Sequence, residues 1–319
     1  MFRENKSLIY FYIISHIGIF FISDAIYWDD WEIYNTPKEE IFNIFSQAGS
    51  FVPFTPYLHT YLLPLGPWTY RLLTFVFFFV ITYCFDRIIF NSKLVNSEIR
   101  YLLVLFFTVL PFNIARVALI MFPSTVCLTL FFIAWRYKHV RFIALPLFFI
   151  SFATNSLPFF YIIVMAHFFY DEKKSNQAKE LSTFVLKKID YFLLPLLYFS
   201  LKHTYFVPQG IYTNYNNHFS IVNLFFTPIR QIFNSGYFIL QYEANLVILS
   251  ILIFCVSWIM PNLEGKVILP FRRLKVFCFG IICCIIILFP YWILGLLPTF
   301  TDWTLSLIHI SEPTRQEAI

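Results

Sequence analysis

The stretch Tyr27-Trp28-Asp29-Asp30-Trp31-Glu32 sets three carboxylates within four residues at the end of an apolar run. Adjacent aspartates repel one another, and at a lipid boundary both resist desolvation, so at least one needs a raised pKa or a cationic partner. Asp29 and Asp30 therefore suit a general base or a ligand pair for a divalent cation such as Mg or Mn. The alternative is structural, with Trp28 and Trp31 as interfacial anchors and the acids as a solvated helix start. Two cations answer the acids. Arg71 and Arg116 fall inside apolar sequence, where a charge is expensive and marks a partner or substrate, and a pair of guanidinium forks suits a phosphate. Snorkelling anchors are the competing reading for each. Asp24, one turn before the acid pair, is a partner for Arg71 or Arg116, and Glu32, His59, Lys202 and His203 are supporting groups. For each histidine a structural hydrogen bond is the commoner role.

Positioning such groups falls to apolar helices. Of 319 residues, 59% are hydrophobic and 22% aromatic, with 43 Phe and 20 Tyr, while only 13% are charged. A soluble domain carries about 25% charge. With a mean hydropathy of +0.69, lipid is the expected solvent for most of the chain. Disorder, coiled coil, collagen and a disulfide-stapled module are excluded by the same figures. All six cysteines lie in apolar runs without metal-ligand spacing. Gly-rich phosphate loops, internal repeats and basic aromatic stripes for nucleic acid are absent from the sequence.

Apolar stretches run at about 8–27, 67–90, 117–135, 191–206, 243–260 and 276–298. Two more, 101–135 and 142–169, are interrupted by the turn residues Pro111-Phe112-Asn113 and Thr154-Asn155-Ser156-Leu157-Pro158. Read as helical hairpins, they bring the expectation to an all-α polytopic membrane protein of about nine transmembrane helices, some of them short, with a cytoplasmic N-terminus. Seventeen of the 23 Lys and Arg then fall on the inside, as the positive-inside rule requires. A single transmembrane domain covers 1–304, with a first outside loop at about 28–66 and a second at about 207–242. Pro37 to Phe45 reads as an amphipathic helix on the outer leaflet, and 219–240, with Arg230, as a second such element. The first 27 residues lack a small-residue cleavage site and read as a retained span.

Two resemblances complete the reading. Residues 305–319, beginning Leu305-Ser306-Leu307-Ile308-His309-Ile310, resemble the translation of a transposase-based sequencing adapter. They are expected to be a non-native tail on a C-terminally truncated chain. An acidic pair straight after the first membrane helix, in a large outside loop with a surface helix, resembles the GT-C superfamily of integral-membrane glycosyltransferases. That resemblance carries over Asp29 and Asp30 alone, as base or metal ligands. It implies a polyprenyl-phosphate sugar donor and a glycan, lipid or protein acceptor on the extracytoplasmic face of a bacterial inner membrane, for polysaccharide or other cell-envelope biosynthesis. No nucleic-acid partner is expected. A lipid-linked glycan flippase or other transporter, or a surface-polysaccharide polymerase or ligase, stays open beside it.

Overall fold

A computed structural model describes residues 6–22, 25–27, 30–51, 54–92, 95–109, 117–154, 156–175, 180–213, 222 and 226–230. The chain divides into two compact units, residues 1–215 with 307–319, and 216–306. Nearly all of the second unit lies outside the described residues, as do the apolar stretches 243–260 and 276–298 and the adapter-like tail. Of the expected surface element at 219–240, the described part includes a helical stretch at 226–230 with Arg230 exposed.

The first unit is helical. In chain order it comprises α1 (Lys6–His16), continued by a 3-10 stretch Ile17–Ile22, then α2 (Asp30–Tyr34), α3 (Lys38–Gln47) and α4 (Thr55–Leu62). The long α5 (Pro67–Ser92) is followed by α6 (Ser97–Val109), α7 (Phe122–Arg136), α8 (Arg141–Ser151) and α9 (Leu157–Lys174). Two more follow among the described residues, α10 (Leu181–Lys187) and α11 (Ile189–Tyr205). Proline sets several starts: Pro67 opens α5, and Pro56, Pro123 and Pro158 sit in the first turns of α4, α7 and α9, where a missing N–H costs nothing. Before α5 the chain must reverse, and Gly66 supplies a φ of 89° that a side chain resists.

The expected count of about nine crossings is overturned. Among the described residues only Pro67–Ser92, 26 residues and about 39 Å at 1.5 Å per residue, is long and apolar enough to cross a membrane. The interruption at 154–158 separates α8, ending at Ser151, from α9, starting at Leu157, whereas 111–113 lie outside the described residues. The apolar helices are too short for the expected crossings: Leu8–Ile22, Ile99–Thr108, Phe122–Arg136 and Arg141–Ser151 are 10–17 residues, against about 20 for a crossing. The 18 residues of α9 end in Asp171-Glu172-Lys173-Lys174, so a charged last turn takes up part of their length.

The surface helix expected near 37–45 is present as α3, with Glu39 and Glu40 exposed, but its apolar face is not left for lipid. Ile41 and Phe45, one turn apart, are buried in a core with Ile33, Tyr70 and the segment Ala118 to Phe122. Around this core α5 packs on α6 and α7, and α7 on α8. A second, aromatic core runs from Phe131 through Phe148 and Phe152 to Tyr161 and Tyr198 in edge-on contacts. Below it an ionic brace ties the ends of α7, α9, α10 and α11: Lys138 meets Asp171 at 2.6 Å, and Glu172 meets Lys187 at 3.1 Å and Lys188 at 2.9 Å. The two lysines hold the Glu172 carboxyl below its ordinary pKa against the effect of burial.

Candidate functional site

Asp30 is the first residue of α2 and is 0% exposed. Its carboxylate joins two distant pieces of chain: Oδ2 accepts from the Tyr27 N–H at 3.1 Å, and Oδ1 from the Ile120 N–H at 2.9 Å. The first bond closes the turn from Tyr27 into α2, where an acid also meets the favourable end of the helix dipole. The second fixes the turn between α6 and α7 against the first loop. Burial pushes the carboxyl above its ordinary 3.8, while the backbone N–H groups of Leu119, Ile120 and Tyr27 and the charge of Arg71 pull it back. Each charge-assisted bond contributes about 1.5–3 kcal/mol. A carboxylate so engaged is a tether between loops.

Arg71 lies in the second turn of α5, 1% exposed. Its guanidinium donates to the Ala25 carbonyl at 2.7 Å and lies 5.6 Å from the Tyr27 ring centroid. Thus Arg71 and Asp30 both grip the 25–27 segment, one through a carbonyl and the other through an N–H. The Arg71 Nε has no hydrogen-bond partner among the described residues. The preceding residue, Tyr70, is buried within the field of Asp30, and its hydroxyl lies 3.2 Å from His59 Nδ1. His59 is fully buried, stacked on Phe45 at 5.2 Å, and enclosure without a charge partner pushes its pKa down to about 3. The imidazole is therefore neutral at pH 7.

The structure thus brings Asp30, Arg71 and His59 around one core. Asp29, Asp24 and Arg116 lie outside the described residues. Glu32 is half-buried on α2, and its carbonyl accepts from the Thr36 hydroxyl. Lys202, half-buried, and exposed His203 sit in the last turn of α11. The segment that follows them is tied to the end of α3, where the Gln209 N–H donates to the Gln47 carbonyl at 2.8 Å. At the same place a Cβ on Gly49, which has a φ of 65°, would meet the Phe206 carbonyl oxygen at 2.8 Å. Among the described residues no three His, Cys, Asp or Glu side chains gather as a metal site.

One turn beyond Arg71 is a cavity of about 210 Å³ between the first helical segment and α5, lined among others by His16, Thr74, Phe78 and Val117. His16 is stacked on Tyr12 at 4.1 Å, with Nδ1 2.8 Å from the Ser15 hydroxyl. Sequence reasoning missed Tyr70 and Thr74. The spacing contained a signal for the second, because residues 71 and 74 share a helix face. Comparison with known proteins adds no relative: no family model, curated protein or solved structure matches the chain.

Proposed function

We propose that this chain is a membrane glycosyltransferase of the GT-C type, held in a bacterial inner membrane through Pro67–Ser92. In this reading it moves a sugar from a polyprenyl-phosphate donor to a cell-envelope acceptor on the extracytoplasmic side. One observation carries the reading: the buried acid at the start of the first loop and the arginine near the start of the crossing helix converge on the same segment, residues 25–27. The support is local to that end of α5; the number of crossings adds none.

The chemistry divides between the two aspartates. Asp30, with its oxygens committed to backbone N–H groups, positions the loop. Asp29 then takes the proton from the acceptor hydroxyl as that oxygen attacks the anomeric carbon. The bond from the anomeric carbon to the phosphate oxygen breaks, and the phosphate leaves with the electron pair. Arg71, enclosed and bonded to the Ala25 carbonyl, does not touch the phosphate and contributes only the field of its fixed positive charge to the departing anion in a site of low dielectric. If a divalent ion takes part, Asp29 is its candidate ligand, and the ion would share the charge on the leaving phosphate.

The test is transfer of labelled sugar from a polyprenyl-phosphate donor by the purified full chain. Asp29→Asn is expected to lower transfer by about 100-fold or more, the range of a lost general base, without moving the melting temperature. Wild-type transfer by that variant removes the assignment of the base. Movement of intact lipid-linked glycan across vesicles by wild type, with no transfer, replaces the enzyme by a flippase.

A further inference from the structure

At the opposite end of α5 the chain gathers charge in a different way. Asp86, buried, faces Arg87 Nε at 3.7 Å and Arg100 Nε at 3.5 Å, distances too long for good hydrogen bonds. Both Nε atoms are buried without a hydrogen-bond partner among the described residues, although each arginine side chain is 15% exposed. Aromatic rings set the guanidinium positions. Phe90 lies 5.7 Å from Arg87 and 4.8 Å from Arg100, and Tyr83 lies 5.5 Å from Arg87 and 4.8 Å from Arg136. Among the described residues, Arg87 and Arg100 share one carboxylate and the Phe90 ring, two cations to one acid, and Arg87 shares the Tyr83 ring with Arg136. Lys174 adds a further cation at this end, with Nζ 3.4 Å from the Ser92 carbonyl.

The geometry points to a phosphate-binding site formed by Arg87 and Arg100, with Arg136 alongside. A phosphate oxyanion meets planar guanidinium forks at about 2.7–2.9 Å, shorter than the present ion pairs, and would satisfy N–H groups that Asp86 leaves idle. Rings beneath the forks hold them in place, so little freedom is lost when the anion arrives. Asp86 holds the arginines together without neutralising them and competes with the ligand for the same N–H groups. The phosphate is either an anionic lipid headgroup at the membrane edge or a free phosphate. This site is independent of the sugar-transfer reading, because it involves none of the residues at the Asp30 end.

The test uses the purified full chain in phosphatidylcholine micelles, with melting temperature followed against two probes at matched ionic strength: inorganic phosphate and phosphatidic acid. A saturable rise is expected with at least one. Arg87→Gln/Arg100→Gln should raise the half-saturating concentration about tenfold or more, and Asp86→Asn should lower it severalfold. A response to phosphate alone identifies a soluble anion, and a response to phosphatidic acid alone a headgroup. The opposite signs of the two variants keep the test decisive if the double variant fails to fold, because Asp86→Asn then decides. No response to either probe in wild type, an unchanged midpoint in the double variant, or weaker binding in Asp86→Asn overturns the site.

Discussion

The two ends of α5 use the same residue types for opposite ends. Near its start, Arg71 and Asp30 are enclosed and spend their hydrogen bonds on backbone, the arginine on a carbonyl and the aspartate on N–H groups. About 24 Å further along the axis, at 1.5 Å per residue, Arg87 and Arg100 crowd around Asp86 with long ion pairs and side chains that are 15% exposed. An unpartnered Nε is common to all three arginines among the described residues; what separates the ends is whether the charged groups also bond main chain. Where they do, charge becomes a fastener; where they do not, the guanidiniums are held by a shared carboxylate and by rings.

The largest expected contrast is in stability. Arg71→Met leaves Asp30 without its balancing charge and the Ala25 carbonyl without its donor, and a loss of about 3–5 kcal/mol is expected. Arg87→Met leaves Arg100 as a cation for Asp86 and breaks only a 3.7 Å ion pair, and should cost about 1 kcal/mol or less. Chemical unfolding of both variants in mild detergent compares them directly, and equal losses would abolish the distinction. Next in size, Asp30→Asn retains one acceptor oxygen where two N–H groups need one each, and should cost about 1–3 kcal/mol. Added phosphate should not recover that loss, whereas any loss in Asp86→Asn should be recovered by phosphate or phosphatidic acid.

A pH series sharpens the enclosed end. His59 is neutral in the fold down to about pH 3, whereas in the unfolded chain it gains a proton near 6.5. The unfolded state therefore binds more protons across that window, and stability falls as pH drops from about 6.5 toward 3, by up to about 1.4 kcal/mol per pH unit from this group. His59→Phe should flatten that part of the unfolding profile, and an unchanged slope would count against a buried neutral imidazole. The smallest effect belongs to the open end. Phe90→Leu removes the ring shared by Arg87 and Arg100 and should cost about 0.5–1 kcal/mol, with a weaker response to phosphate in the same melting assay.

Much of the enclosed end was legible in residue type and position. An aspartate beside tryptophans and an arginine inside an apolar run each need a partner, which residue type alone makes plain. Residue type does not show that both grip residues 25–27, since Asp24 or a phosphate is the partner it suggests for Arg71. Not legible was the Ile120 N–H, because nothing in the residue types says which turn of the chain comes back to residue 30. The long ion pairs of Asp86 were hidden for a similar reason. Arg87, Arg100 and Arg136 share a side by charge counting, but only packing shows that two of them meet at one carboxylate. Helix number failed for another reason. Apolar composition marks where a helix is greasy, and it does not reveal that Leu8–Ile22 closes in a 3-10 stretch or that α7 stops at Arg136 after 15 residues.

The bond between Asp30 and Ile120 also fixes an order of events during synthesis. At about 5–20 residues per second, the ribosome takes roughly 5–18 s to make the 90 residues that separate acceptor from donor. For that interval the nascent acid must stay hydrated or borrow another donor, so the opening loop cannot settle until the turn ahead of α7 has emerged. Slowing translation between those two points would lengthen the exposure of that loop, and a pulse of protease during synthesis would register it as added cleavage near residue 30.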